Sequence, residues 1–254
     1  MRTLLCTALL AASVAAPARA GQWLDLSIVD RDTGATLPTY ADRGRLYVAG
    51  TPGHRYAVRL ANRSGGRVLA VLSVDGVNAV SGQTASPEQT GYVLDPGEST
   101  EIAGWRKNLN EIAQFTFTAL PDSYAARTGR PANVGVVGVA VFTERAPPRP
   151  RDEIAAQAPA PAPAQSKQAP AAEAERALAG APRAERLGTG HGAREYAPVG
   201  TTAFERASSR PAETVTVWYD SYANLVARGV IARPVAQDEP RPFPGAFVPD
   251  PPAR

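Results

Sequence analysis

Seven residues from Val68 to Val74, VLAVLSV, run apolar apart from one serine, and Asp75–Gly76 follows at once. A run this short and this rich in β-branched side chains predicts a strand buried on both faces. Asp-Gly between apolar segments is a two-residue turn signal, so Val77–Val80 is expected to return as a short strand. Upstream, residues 55–61 alternate around Tyr56, Val58 and Leu60, and the polar break Asn62–Gly66 separates the two segments. The stretch Arg55–Asn78 therefore predicts a β-hairpin around which a folded β domain is organised. Its arginines, Arg55, Arg59, Arg63 and Arg67, are expected to balance acids elsewhere in the domain.

The surrounding chain continues the pattern. Trp23–Val29 alternates, Tyr47–Ala49 is short and ends at the Pro-Gly pair 52–53, and Tyr92–Leu94 and Thr100–Ile102 flank Asp95–Pro96–Gly97. Ile112–Leu120 places Phe115 and Phe117 on one face and Thr116 and Thr118 on the other, and Val134–Phe142 closes the domain as a glycine-bearing apolar strand. Between them, Asp122 is placed to cap one helical turn that stops at Gly129. About eight or nine short strands, spaced by turns and without long helical periodicity, predict an all-β antiparallel sandwich or partly open barrel over residues 21–145. No βαβ alternation or phosphate-cradling glycine loop occurs, which argues against a doubly wound nucleotide enzyme.

The ends of this domain are marked by composition. Residues 1–20 carry Arg2, an apolar run from Leu4 to Ala16 and the small residues Ala18 and Ala20, the pattern of a secretory signal with the mature chain starting at Gly21. The run falls short of the about 20 apolar residues of a spanning helix, so no membrane span is expected. Cys6 lies inside the signal, leaving the mature chain without a disulfide, a thiol nucleophile or a thiolate metal ligand. Residues 146–186 are rich in Ala and Pro and read as a semi-rigid linker. Order signals return over 187–231, with strand-like pieces around Tyr196 and Phe204, an alternating strand Thr214–Tyr219, and a two-turn helix after Asp220 that stops at Gly229. Long enough to reach anywhere on the domain, the linker lets this tail dock on the sheet and cover an edge, in cis or on another copy. Residues 232–254 are Pro-rich and read as a disordered end. The openings DSYA at 122 and DSYA at 220 are read as two uses of one capping solution.

The formal charge is +3, and +1 remains once Arg2 and Arg19 leave with the signal; between Gly21 and Arg145 twelve basic residues meet twelve acidic ones. No basic patch stands out, so nucleic-acid binding is not expected. Lysine occurs only at 107 and 167. An arginine-, alanine- and proline-rich composition with a signal suggests an exported bacterial protein, periplasmic or secreted.

The strings RVLAVLSVDGVN, GYVLDPGE with GWRK, DSYAARTGRP with VGVVGVAVF, and ERLGTGHGARE with YDSYANLVARGVI resemble a group of secreted proteobacterial proteins with no established activity. The resemblance spans the mature chain apart from the linker and the last residues. It implies that the tail belongs with the β domain.

Chemistry-bearing residues are few. Trp105, Arg106 and Lys107 set an aromatic plane beside two cations, which suits stacking on a sugar or holding an acidic partner; a tryptophan plugging the end of the sandwich explains them as simply. His191, in GTGHG, stands four residues before Glu195, but the glycines oppose the helix that would bring the two together. His54 begins a strand. Asp30 and Asp32 resemble the opening of a calcium loop, yet position twelve would be Ala41, so a strand-ending turn is expected. Gly97–Glu101 lacks the last glycine of a serine-hydrolase elbow. Trp105, Arg106, Lys107 and His191 are thus the candidate binding residues, with no catalytic set, metal ligands or cofactor assigned. The expected function is non-catalytic binding of a protein or cell-envelope partner; the alternative is a carbohydrate-active or other hydrolytic enzyme using loop acids (Asp95 with Glu98, Glu101 with Glu111) or His191.

Overall fold

The computed structural model describes residues 21–146 and 186–233. The expected signal peptide, all but the ends of the linker and all but the start of the C-terminal end lie outside the described residues. In chain order the strands are β1 (Leu24–Asp30), β2 (Thr39–Asp42), β3 (Arg45–Gly50), β4 (Arg55–Asn62), β5 (Val68–Val74), β6 (Val77–Asn78), β7 (Tyr92–Leu94), β8 (Ser99–Ile102), β9 (Gly104–Arg106), β10 (Glu111–Ala119), β11 (Val136–Thr143), β12 (Leu187–Tyr196) and β13 (Glu213–Ser221). Two short α-helices, α1 (Tyr124–Arg127) and α2 (Tyr222–Ala227), and two single 3-10 turns, Leu120–Asp122 and Pro131–Asn133, complete the described elements. The strands form two sheets. One runs β1-β4-β10-β12, with β8 on β4 and β9 on β10; the other runs β2-β3-β13-β11-β5-β6, with β7 on β5. The fold is all-β and sandwich-like, as the turn-spaced strands predict. No described helix is long and apolar enough to cross a membrane.

β4 and β5 do not pair. The expected hairpin is instead an arch that carries the chain from one sheet to the other. Asn62 makes the arch: buried, it donates from Nδ2 to the carbonyls of Gly66 (2.8 Å) and Asp95 (2.9 Å) and accepts at Oδ1 from the Ser64 amide (2.9 Å). A side chain that satisfies the turning backbone lets the strands part where a two-residue turn would force them to pair. The true hairpin is β5–β6, closed by Asp75 (φ 53) and Gly76 (φ 74), the left-handed pair of a type I′ turn.

β5 is buried on both faces as its sequence demands. Val68, Ala70, Leu72 and Val74 enter the inter-sheet core, while Leu69 and Val71 pack outside with Ala140, Phe142 and Phe204. The core centres on Tyr56, whose ring stacks on Phe117 at 4.2 Å and on Phe115 at 5.4 Å. All four arginines of the opening stretch close ion pairs, Arg55 with Asp32, Arg59 with Glu101, Arg63 with Asp25 and Arg67 with Glu144.

The tail is woven into both sheets. β12 extends the first sheet along β10, and β13 lies between β11 and β3, hydrogen-bonded to both, in the interior of the second sheet and not on an edge. Its pairing with β3 is parallel, so the second sheet is mixed where an antiparallel one was expected; a strand arriving after a long connection is free of the antiparallel constraint of a tight turn. Tyr196 ends a single ten-residue strand, and Phe204 lies in an irregular segment over β5 and β11. Helix caps also differ from expectation. Ser123 and Ser221 cap α1 and α2, each accepting at 3.2 Å from the amide three residues on, while Asp220 is buried against the Leu187 amide and Asn224. Both helices end at a glycine with φ 75, Gly129 and Gly229.

Candidate binding site

β10 brings the four candidate residues to one end of the sandwich. On one side Ala113 pairs with Trp105 of β9; on the other Ala113 and Phe115 pair with Arg194 and His191 of β12, across a bulge. β9 can lie this close because residue 104 is glycine: a Cβ there would stand 2.1 Å from the Ala113 carbonyl oxygen. Trp105 is buried at 2% exposure, set edge-on to Phe115 at 4.8 Å. Its ring lies 5.0 Å from Tyr124 of α1, and Tyr124 lies 5.6 Å from the His191 ring. Trp105 is therefore the floor of this end, the plug that its size suggested, and the solvent-facing aromatics are Tyr124 and Tyr92.

Two hollows open on either side of this aromatic row. The larger, about 660 Å³, lies between β7, the end of β9 and residues 199–202; Tyr92, Leu109 and Val199 supply apolar surface, and Arg106, Lys107 and Glu98 supply charge. Arg106 is held by the Ala197 carbonyl and, at 3.4 Å, by the Tyr92 hydroxyl. Burial, partly offset by Arg106, pushes the Tyr92 phenol above its ordinary range, so it stays protonated. Lys107 and Leu109 are exposed, and Lys107 has no ion-pair partner among the described residues. The smaller hollow, about 290 Å³, is lined by Tyr124, Arg127, Thr128 and His191. Burial and then the Lys107 charge, with Arg194 adding to it, pull the His191 imidazole below its ordinary value of 6.5.

The acids proposed for hydrolysis are engaged elsewhere. Glu195 accepts both guanidinium nitrogens of Arg31 (2.7 and 2.8 Å) and the Gln114 amide, and Arg31 holds its carboxyl below the usual range despite burial. Four residues apart on one strand, His191 and Glu195 stand about 13 Å from each other. Glu98 caps the Asp95 amide at 2.7 Å, Glu101 pairs with Arg59, and Glu111 pairs with Arg194 at 3.3 Å.

Across the same sheet, in register with His191 through Tyr56 and Phe115, the Asp30–Gly34 turn holds Asp30, Asp32 and His54 with ligand atoms within 4.8 Å of one another. Asp30 Oδ1 accepts the Asp32 and Thr33 amides (2.9 and 3.1 Å), its Oδ2 lies 2.7 Å from His54 Nδ1, and Asp32 is paired with Arg55. Burial opposes ionisation of Asp30, but His54 and the two amides outweigh it and keep its carboxyl below the usual range. The carboxylates are occupied by the turn itself, which is what a strand-ending aspartate turn does.

Sequence reasoning did not single out Tyr92, Tyr124, Arg127 or residues 199–202. Nothing local marks them, because each becomes part of the site only through strands that are distant in the chain. The fold and this end together define a two-sheet β-sandwich with cation-rimmed hollows over an aromatic floor. No protein-family model, curated protein or solved structure matches this chain.

Proposed function

We propose that the chain is an exported β-sandwich, periplasmic or secreted, that binds without catalysis, taking an acidic and partly apolar segment of a protein or cell-envelope partner in the larger hollow. The observation that carries this reading is the pairing of Lys107, which has no ion-pair partner among the described residues, with the apolar surface of Tyr92 and exposed Leu109. A hollow of about 660 Å³ falls in the size range of ligand sites, where a few polar groups orient and apolar area holds. Of the acids that the hydrolytic alternative would use, Glu98, Glu101 and Glu111 each already serve an amide or an arginine.

Fluorescence anisotropy with labelled peptides that share a Leu/Phe core and carry either acidic or basic flanks tests the proposal. Acidic peptides should bind preferentially, and the double substitution Lys107→Glu, Leu109→Asp should abolish that preference. Equal binding of acidic and basic peptides, or a double variant that binds like the parent, would overturn it.

A further inference from the structure

Eight arginines among the described residues meet a carboxylate: Arg31, Arg55, Arg59, Arg63, Arg67, Arg145, Arg194 and Arg228. The small hollow beside His191 is built on one that does not. Arg127 lines it and, like Lys107 nearby, meets no carboxylate among the described residues. Arg130 stands 5.8 Å over the Tyr124 ring, held in place by Thr128 Oγ1 (3.0 Å) and the Gly82 carbonyl (3.3 Å). Of the acids on neighbouring elements, Glu111 of β10 is taken by Arg194 and Asn108, and Asp122 lies in the turn before α1 outside the hollow's lining. Positive charge therefore converges from the end of β9, from α1 and its following turn, and from β12, onto a concavity lined by no carboxylate.

We propose that this hollow is an oxyanion site that takes a phosphate or sulfate group, with Arg127 as its direct charged ligand, His191 as a second donor, and the Tyr124 ring as a platform for whatever carries the group. A planar guanidinium free of competing acids presents paired donors to such a group, and an aromatic face beside it suits a sugar ring. Burial first, and then the positive field around it, hold the His191 imidazole below its ordinary value, and the field explains its part. Lys107 and Arg194 disfavour a further proton until an anion offsets them, so binding and protonation of His191 assist each other. Affinity should accordingly rise as pH falls from neutrality, by at most about tenfold per pH unit for one linked proton. The site is distinct from the larger hollow, and either can fail while the other stands.

Sulfate is the probe for the pH profile because it does not itself titrate in this range. With the chain from Gly21 to Arg254, NMR signals of the His191 ring should shift saturably with sulfate at low ionic strength, and more tightly at acid than at neutral pH. Arg127→Ala should weaken binding by about tenfold or more, the loss of one charge-assisted hydrogen bond. It should leave the thermal melt unchanged, since the Arg127 side chain makes no hydrogen bond or ion pair among the described residues. His191→Gln should keep binding at neutral pH and lose the acid enhancement. Arg43→Ala, on the β2–β3 turn, is the control and should bind as the parent does. Inorganic phosphate compared with glucose 6-phosphate separates the sources: equal affinity identifies the free ion, and tighter binding of the sugar phosphate identifies a group carried on a ring. Unsaturable shifts, or an Arg43→Ala effect as large as that of Arg127→Ala, would overturn the site. An affinity for sulfate that does not change with pH would remove His191 from it.

Discussion

The Tyr219 hydroxyl donates to Asp75 Oδ1 at 2.6 Å, tying the strand interior to the second sheet to the β5–β6 turn 144 positions earlier. The bond is the end of a buried relay. The Tyr56 hydroxyl donates to Thr189 Oγ1 at 2.5 Å, Thr189 donates to the Tyr219 oxygen at 2.6 Å, and Asp75, an acceptor only when ionised, sets the direction of all three. Asp75 also accepts the amides of Gly135 (2.9 Å) and Thr189 (2.8 Å). Three chain segments from both sheets thus meet on one carboxylate that solvent does not reach, and a fourth, that of Tyr56, joins them through Thr189.

Removing the Tyr219 hydroxyl leaves Thr189 without its acceptor and Asp75 with one donor fewer. Tyr219→Phe should lower unfolding stability by about 1–3 kcal/mol, read by urea denaturation, and Asp75→Ala, which orphans the hydroxyl and two amides together, should cost more. A Tyr219→Phe variant as stable as the parent would deny the relay a structural role.

Burial pushes the Asp75 carboxyl above its ordinary value of 3.8, against the lowering effect of the Tyr219 hydroxyl and the amides. The native state then holds this proton to higher pH than the unfolded chain does, so the group's contribution to stability declines as pH rises from 3.8 through the folded-state value. Asp75→Asn removes the titration, and the stability difference between variant and parent should move in the variant's favour with rising pH. Carboxyls held low, such as Asp30, give the opposite slope but are common to both proteins and cancel in the difference. Denaturation of the pair at several pH values reads it directly.

Gly104→Ala places a Cβ 2.1 Å from the Ala113 carbonyl oxygen, a contact that only separation of β9 from β10 relieves. The variant should lose about 1–3 kcal/mol, the ordinary cost of overpacking, and its tryptophan emission should shift to the red as Trp105 gains solvent. Unshifted emission at parental stability would mean that the strand accommodates the methyl without moving.

Deleting the tail from residue 187 onward removes the β12 edge and strips β13 from between β11 and β3. Thr189 and Tyr219 leave with it, so Asp75 keeps only its Gly135 donor and its own amide bond to Val136. The remainder should lose its cooperative thermal transition altogether, where removal of a merely docked segment would lower the melting temperature and keep the transition.

Local physics determined a good part of this protein from sequence alone. VLAVLSV had to be a strand covered on both sides, Asp75–Gly76 had to turn, Phe115 and Phe117 had to face a core, and Gly129 and Gly229 had to stop their helices, because each depends on side-chain periodicity or on a backbone angle that few residues adopt. Gly188, Gly190 and Gly192 point the wrong way by the same rules: glycine weakens a strand, yet β12 runs through all three, since a Cβ at Gly188 would meet Ser123 and Val134 at 2.6–2.7 Å. Only tertiary structure decided that β4 and β5 part into different sheets, that β13 enters the interior, and that Asp75 is buried under the tail. Pairing partners are chosen by burial summed over the whole sandwich, a sum no local window contains. The candidate site has the same origin. Trp105, Lys107, Tyr124, Arg127 and His191 carry no shared local signal, and they become one charged, aromatic end of the molecule because β10 has β9 on one side and the returning tail on the other.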